Sequence, residues 1–226
     1  MDLKDAQKSR AKAWRSWSQG WATRWVRRFL LSFIVLPGLH FGYSVEVRGI
    51  RWFTKIEEPC LIISNHNMHL DQMMLMGAMP AGFRDRIAIA AAANDIFGNP
   101  ARGFFARLLG NAFPFTKEGS GVRDSLETVA RMMEGGWHVL IFPEGLLTVV
   151  GPMQPFKSGT AYLAVETGVE VLPMRIDVLK RGFYEGHWFP NPRARVRVTV
   201  GEPRRFAAGS DYDEVNTILE QSVRDA

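Results

Sequence analysis

The sequence predicts an α/β fold in which helices flank a central sheet of mostly parallel strands. Short apolar segments alternate along the chain with longer stretches whose apolar residues recur at helical spacing, a pattern typical of a parallel sheet covered on both faces. The 226 residues, 46% of them hydrophobic, are enough for one domain with a substantial core. We therefore expect one domain over residues 44–226, preceded by a helical segment over residues 1–43.

After Gly42 the predicted strands and helices follow one another as repeating units. The strand candidates are Ser44–Val47, Cys60–Ser64, Arg86–Ala91, Ala112–Thr116, His138–Phe142, Val169–Ile176 and Ala194–Val200. The helix candidates are Leu70–Met79, Pro100–Leu109, Val122–Glu134, Ser158–Thr167 and Asp211–Val223. The segment from Arg195 to Val200 alternates polar and apolar side chains, which predicts a strand near a sheet edge with one face in water.

The N-terminal segment is predicted to be an amphipathic helix that lies in a membrane interface. Its tryptophans are three or four residues apart and fall on one helical face, with arginine and lysine mostly off that face. The alternative is a helix that packs its tryptophans on its own domain. The step Pro37-Gly38 is expected to break the helix. The tryptophans assigned to membrane binding are Trp14, Trp17, Trp21 and Trp25.

The distribution of charge favours a lipid partner over nucleic acid. The first 28 residues hold eight basic and two acidic side chains, an excess larger than the net charge of +5 for the whole chain. The rest of the chain is therefore close to neutral, whereas a protein that reads nucleic acid more often carries its charge on the folded domain. We expect a membrane surface with anionic lipid as a partner and no nucleic acid.

Neither a membrane-spanning helix nor a signal peptide is predicted. The longest apolar stretch, residues 29–45, is interrupted by serine, proline, glycine and histidine, and a spanning helix needs about 20 mostly apolar residues. We expect a peripheral or monotopic protein at the cytoplasmic face of a membrane. The lone cysteine, Cys60, excludes an intrachain disulfide and lies in an apolar run, which favours a buried structural residue.

A histidine and an aspartate after the second predicted strand are the candidate catalytic pair. His66 and Asp71 are five residues apart, so on one continuous helix they would point about 140° apart. They can meet if His66 lies in the turn before the helix and Asp71 lies in its first turns. A carboxylate on one imidazole nitrogen leaves the other nitrogen free to act as a general base. His69 also permits a metal site, but the spacing is not the His-Glu-x-x-His pattern and we expect no metal.

Three further polar turns follow predicted strands or begin a helix. Glu144 and Gly145 form a turn at the end of the strand His138–Phe142, where the carboxylate can accept hydrogen bonds from a substrate or simply be solvated. Lys117 follows another strand and is a candidate phosphate contact. Lys157 opens a helix, a position that suits an anion. For each lysine the alternative is a solvated surface charge.

Together these features resemble the glycerolipid acyltransferase superfamily, the 1-acylglycerol-3-phosphate acyltransferase-like enzymes. The block from Asn65 through Asp71 looks like the family's His-x4-Asp motif, and Phe142 through Gly145 matches its Phe-Pro-Glu-Gly motif. Two further blocks in the same order are similar to those of the family. They are Phe113-Pro114-Phe115-Thr116-Lys117 and Val171-Leu172-Pro173-Met174.

The resemblance implies that His66, oriented by Asp71, deprotonates an acceptor hydroxyl. The acceptor then attacks an acyl-CoA or acyl-carrier-protein thioester without an acyl-enzyme, and no cofactor is needed. The resemblance also implies that Lys117, Glu144 and Gly145 help to bind the acceptor. With Asn65 beside the histidine and Lys157 at the start of its helix, they are the predicted substrate-binding residues.

Two departures from the family pattern concern the acceptor. The family usually has arginine where Lys117 stands, and after Gly145 it commonly has Thr-Arg-Ser where this chain has Leu146-Leu147-Thr148. Lysine keeps the charge but lacks the guanidinium fork that binds phosphate in two places. The alternative acceptors are therefore a lysolipid with a head group other than phosphate, or another molecule with a hydroxyl or amine group. The rival hypotheses are a thioester or lipid hydrolase that uses the same pair on water, and a non-catalytic membrane-binding protein.

Overall fold

The structure is a computed structural model that describes residues 17–148, 151–180 and 194–226. The side chains of Ser120 and Lys180 are not described. Of the sites predicted above, Trp14 lies outside the described residues, as does most of the basic N-terminal stretch.

The described residues form a seven-stranded sheet with helices on both faces. The strands are β1 (Tyr43–Arg48), β2 (Leu61–Ser64), β3 (Ile87–Ala92), β4 (Phe113–Phe115), β5 (His138–Ile141), β6 (Val171–Lys180) and β7 (Ala194–Val200). The helices are α1 (Trp21–Leu30), α2 (Leu36–Gly42), α3 (Asp71–Ala78), α4 (Ala81–Arg84), α5 (Ala93–Phe97), α6 (Pro100–Gly110), α7 (Val122–Glu134), α8 (Gly159–Thr167) and α9 (Tyr212–Asp225). Short 3-10 turns cover Trp17–Gln19, Ile50–Lys55 and Gly119–Gly121.

The strand order is β1-β7-β6-β2-β5-β3-β4, and β6–β7 is the antiparallel pair. The predicted mostly parallel α/β fold is therefore confirmed. β7 lies beside the edge strand β1 and alternates buried with more exposed side chains, as its sequence pattern indicates. The short helices α4 and α5 were not predicted, because four or five residues carry too little periodicity to reveal a helix.

The apolar side chains of the sheet divide between two layers, one on each face. One layer joins Ile62, Leu140 and Leu172 to helix α3, and the other joins Leu61, Val139 and Val171 to helices α7, α8 and α9. Because successive side chains of a strand point to opposite faces, neighbouring residues of β2 supply both layers.

The N-terminal helix continues past the position where a break was expected. The chain is helical over residues 21–42, and a π-helical segment, Leu31–Val35, joins α1 to α2. Pro37 stands two residues after the π-helical segment, whose wider turn accommodates the proline ring. The prediction that Pro37-Gly38 breaks the helix is wrong for this reason.

The same helix contributes to the core of the domain. Leu31 and Leu36 are buried in the layer that contains α3, while the Trp21 and Trp25 side chains remain exposed. The helix thus packs through its aliphatic face and leaves the tryptophan face in solvent. The boundary proposed at residue 43 stays a prediction.

Candidate active site

The candidate catalytic pair lies in the connection between β2 and α3. β2 ends at Ser64 and α3 begins at Asp71, so His66 stands in the turn before the helix and Asp71 in its first turn. His66 Nδ1 is 2.9 Å from Asp71 Oδ2. The strand-to-helix junction therefore brings the two side chains together as their spacing required.

Asp71 is fixed by backbone donors as well as by the imidazole. Its side chain has no exposed surface, and Oδ2 accepts hydrogen bonds from the N–H groups of Asn67 at 2.5 Å and Met68 at 3.0 Å. These bonds hold the carboxylate in place before any substrate arrives. When the shared proton is on His66 Nδ1, the opposite nitrogen, Nε2, has a free lone pair for a base.

The imidazole of His66 is supported on one face and open in part to solvent. The ring stacks on Phe142, with centroids 4.2 Å apart and planes 21° apart. The side chain keeps 22% of its surface exposed, whereas Asp71 keeps none. The pair thus consists of a buried orienting carboxylate and a reachable imidazole, the arrangement that general-base catalysis needs.

The turn that contains Glu144 lies beside this pair because β2 and β5 are neighbours. Ile63 and Ile141 are paired in register, so the loops after both strands leave the sheet at the same edge. Ligands in α/β proteins gather at that edge. Gly145 adopts φ 70°, a left-handed conformation that favours glycine, and an added Cβ there would lie 3.0 Å from Lys157 Cε.

Both lysines predicted at the site meet this turn. Lys117 Nζ donates to the carbonyl of Gly145 at 2.7 Å, and Lys157 Nζ forms an ion pair with Glu118 at 2.8 Å. The hydrogen bond from Lys157 holds the pKa of Glu118 below its usual value. Two exposed ammonium groups therefore lie near Gly145, and one of them is already paired with a carboxylate.

Asn65 and Glu144 are buried and bound to the protein itself. Asn65 Oδ1 accepts from the Ile176 N–H at 2.8 Å, and its Nδ2 donates to the Ile176 carbonyl at 2.9 Å. Asn67 Nδ2 donates to the same carbonyl. The amide of Asn65 thus binds the backbone of β6, and these bonds fix the His66 loop to the sheet. The expectation that Asn65 contacts substrate stays a prediction.

Tyr43, which sequence reasoning did not select, lies close enough to Asp71 to sense its charge. Burial, and then the charge of Asp71, raise the pKa of Tyr43 to about 12, so the phenol is neutral at physiological pH. It is the first residue of β1, at the end of the N-terminal helix. A lone tyrosine 28 positions earlier in the sequence gave no signal that it would approach Asp71.

Cys60 is placed away from the chemistry, as expected. It precedes β2, whereas His66 follows that strand, and burial raises the pKa of its thiol far above the usual range. Among residues 17–148, 151–180 and 194–226, no group of three or more histidine, cysteine or carboxylate side chains is arranged to hold a metal ion. Within the same ranges, no helix has the length and apolar character to cross a membrane.

The fold and the site together define an α/β protein with a histidine–aspartate pair at the carboxyl end of its sheet. Residues 44–177 match the model of the family described as Acyltransferase, which covers more than half of the chain and includes both members of the pair. The chain therefore belongs to the Acyltransferase family.

Several relatives in this family are named 1-acyl-sn-glycerol-3-phosphate acyltransferases. The chain is 30% identical to the alpha enzyme of Mus musculus over 188 residues, covering 81% of this chain and 62% of the relative. It is 32% identical to the beta enzyme of Homo sapiens over 148 residues, covering 65% of this chain and 49% of that relative. A relative from Pseudomonas aeruginosa is 31% identical over 138 residues, covering 59% of this chain and 49% of that relative. The chain thus spans between about half and about three fifths of the length of these relatives.

A solved structure supports the fold. The crystal structure of the 1-acyl-sn-glycerophosphate (LPA) acyltransferase PlsC from Thermotoga maritima superposes with a TM-score of 0.65 at 21% sequence identity. The match covers 96% of this chain and 85% of that chain.

Proposed function

We propose that the protein is an O-acyltransferase that moves a fatty acyl group from acyl-CoA or acyl-carrier protein to a lysophospholipid or a related lipid-like acceptor. The observation that carries the proposal is the 2.9 Å contact between His66 Nδ1 and Asp71 Oδ2, with the imidazole accessible and the carboxylate buried. Family membership and the names of the relatives support the reaction class.

In the proposed reaction, His66 Nε2 removes the proton from the acceptor hydroxyl as its oxygen attacks the thioester carbonyl carbon. The C–S bond breaks, and the departing thiolate takes the proton from the imidazolium. Asp71 stays ionised and stabilises that imidazolium. No acyl-enzyme is formed, and the atoms balance as one ester formed and one thiol released.

The charged side chains near Gly145 affect which acceptor head groups the site can bind. Lys117 and Lys157 can attract an anionic head group, but Lys157 is paired with Glu118 and Leu146 is exposed beside them. A dianionic phosphate must then compete with a carboxylate for one of the two ammonium groups. The proposal therefore extends to lysolipids whose head group carries less negative charge.

We further propose that the protein works at the cytoplasmic face of a membrane, on anionic lipid, through its N-terminal helix. The exposed side chains on the outer surface of residues 21–42 include Trp21, Trp25, Phe29 and Phe33. Trp17 stacks on Phe104 of α6, with ring centroids 5.3 Å apart, so the aromatic surface extends onto the domain. No acidic residue occurs between Trp17 and Val45, whereas Arg24, Arg27 and Arg28 do.

Acyl transfer is tested with labelled acyl-CoA and a panel of lysolipids with phosphate, zwitterionic and amino-acid head groups. We expect acyl product with at least one acceptor, and a fall in kcat of roughly 10²–10⁴-fold for His66→Ala and Asp71→Asn. Asp213→Asn, an exposed change at the start of α9, is the control.

Product analysis separates the proposal from its rivals. Free fatty acid released at the same rate with and without acceptor would make the protein a hydrolase. A His66→Ala protein that is as active as the parent would remove His66 as the base. Vesicle binding without turnover on any acceptor or on water would favour a non-catalytic protein.

A further inference from the structure

We infer that Glu144 is a positioning residue that holds the peptide of His66, rather than a group that binds the acceptor. The inference rests on the proposed function, because it takes His66 as the base. It concerns how the turn after β5 fixes the loop after β2.

Both carboxylate oxygens of Glu144 are occupied by donors of the protein. Oε1 accepts from the His66 N–H at 2.7 Å. Oε2 accepts from the Gln154 N–H at 2.7 Å and from Thr148 Oγ1 at 3.3 Å. The residue is 2% exposed, so a substrate hydroxyl would have to displace one of these bonds to reach it.

The carbonyl of His66 is held by the same turn. The Thr148 N–H donates to the His66 carbonyl at 2.8 Å, so both polar groups of the His66 backbone are bound by residues that follow β5. Asp71 binds the imidazole at Nδ1. His66 is thus fixed at its N–H, its carbonyl and its ring.

This support matters because His66 belongs to neither a strand nor a helix. It lies between Ser64, where β2 ends, and Asp71, where α3 begins, so regular hydrogen bonding does not hold its backbone. A charged acceptor makes a shorter and stronger bond to a backbone N–H than a neutral acceptor does. Glu144 therefore supplies the fixed geometry that a general base needs.

The discriminating variant is Glu144→Gln, which keeps the size of the side chain but replaces one acceptor oxygen with an NH2 group. That group must face either the His66 N–H or the Gln154 N–H, so one bond is lost. We expect kcat to fall by about 10²-fold, the effect of misplacing a catalytic group by about 1 Å, while KM for the lysolipid stays within about twofold. Glu134→Gln, at the exposed end of α7, is the matched control.

A double-mutant cycle tests whether Glu144 acts through His66. In the His66→Ala background, Glu144→Gln should cause no further fall in kcat, because the group that it positions is already missing. Hydrogen exchange of the His66 amide should be faster in Glu144→Gln than in the parent.

Thr148→Val tests the same turn with a milder change, because it removes only the 3.3 Å bond from the hydroxyl to Glu144. We expect a smaller fall than in Glu144→Gln, again in kcat alone. This variant provides a second measurement of the effect if Glu144→Gln folds poorly.

Results that contradict the role of Glu144 can be told apart from a result that contradicts His66 as the base. A rise in KM with kcat preserved would show that Glu144 contacts the acceptor. An equal fall in kcat in both backgrounds would show that Glu144 acts independently of His66. Either result would overturn the inference. If His66→Ala retains full activity, the proposed base fails instead, and the amide-exchange result alone then reports on the Glu144 contact.

Discussion

At the residue scale, His66 and Asp71 show what local spacing can reveal. Two side chains five positions apart can meet across a strand-to-helix junction, and the apolar segment Cys60–Ser64 followed by a helical pattern places that junction in the sequence. The 2.9 Å contact has that geometry. No long-range information was needed, because every constraint lies between Cys60 and Met79.

Glu144 illustrates the opposite case. The sequence places it correctly in a turn after β5, but its two 2.7 Å donors are backbone groups of His66, 78 residues away, and of Gln154. A backbone N–H is the same in every residue type, so no sequence pattern identifies it as a partner. The same applies to Asn65, whose amide binds the backbone of Ile176.

His138 leads to a prediction about pH. Its ring is buried, stacks on Phe83 with centroids 3.9 Å apart, and accepts a hydrogen bond from the Cys60 N–H at Nδ1. Burial, and then the charge of Arg86, lower the pKa of His138 to about 4. The unfolded chain takes up this proton near its ordinary pKa of about 6.5, so the folded state loses stability as the pH falls from about 6.5 to about 4.

The size of this effect follows from the pKa difference. The loss amounts to roughly 3 kcal/mol at most across that range, and above pH 7 the residue contributes no pH dependence. Urea unfolding of the parent and of His138→Asn from pH 8 to pH 4 measures it, since asparagine retains an acceptor but does not titrate there. If the free energy of unfolding changes with pH by the same amount in both proteins, the prediction is wrong.

At the scale of elements, the N-terminal helix was predicted on its tryptophans but is held by a residue from its other face. Arg27 is 3% exposed and donates to the carbonyls of Arg107 and Leu108 at the C-terminal end of α6, and to that of Ser18. The sequence places Arg27 beside Arg24 and Arg28 without distinguishing it. Its burial depends on the position of α6 in the tertiary structure, which the local sequence does not reveal.

Arg27→Met should therefore destabilise the protein, whereas other arginines of the helix should matter little. Burial, and then the charge of Arg24, lower the pKa of Arg27 to about 10, so it remains charged at neutral pH while satisfying three carbonyls. Removing it leaves buried acceptors at a helix end, at a cost of about 3 kcal/mol in the free energy of unfolding. Urea unfolding measures the change.

The matched control is Arg24→Met, because Arg24 is exposed and lies over the ring of Trp137. An exposed cation–π contact is worth about 0.5–1 kcal/mol, so this variant should lose far less stability than Arg27→Met. Hydrogen exchange at the end of α6 should accelerate in Arg27→Met and not in Arg24→Met. Equal stability of the two variants would show that Arg27 does not anchor the helix.

At the scale of the whole molecule, all seven strands could be predicted but their order in the sheet could not. The segments around Ile62, Leu140 and Leu172 are short apolar runs of similar character, and nothing in them states that β2 lies between β5 and β6. That order follows from the packing of both core layers together. It determines the site, because it places the Glu144 turn beside His66.

The aromatic surface leads to the last prediction. Trp21 is 77% exposed and Trp25 is 63% exposed, and burial of these two rings in a bilayer interface would remove much of that apolar surface from water. We expect Trp21→Ser/Trp25→Ser to keep the fold and lose flotation with vesicles made of equal parts phosphatidylcholine and phosphatidylglycerol. Added salt should weaken binding of the parent, since arginines near the rings attract anionic lipid.

These substitutions test membrane docking more cleanly than removing residues 1–28, because that deletion would also remove Arg27, which anchors the helix to α6. Ile218→Ser, a change at an exposed apolar residue of α9, is the control for a general loss of surface hydrophobicity. If the double variant floats as well as the parent and Ile218→Ser does not, the docking surface lies on α9 rather than on the N-terminal helix. If both variants float normally, docking does not depend on Trp21 and Trp25. The exposed rings would then require a different partner, such as another part of the chain or a second protein, to cover them.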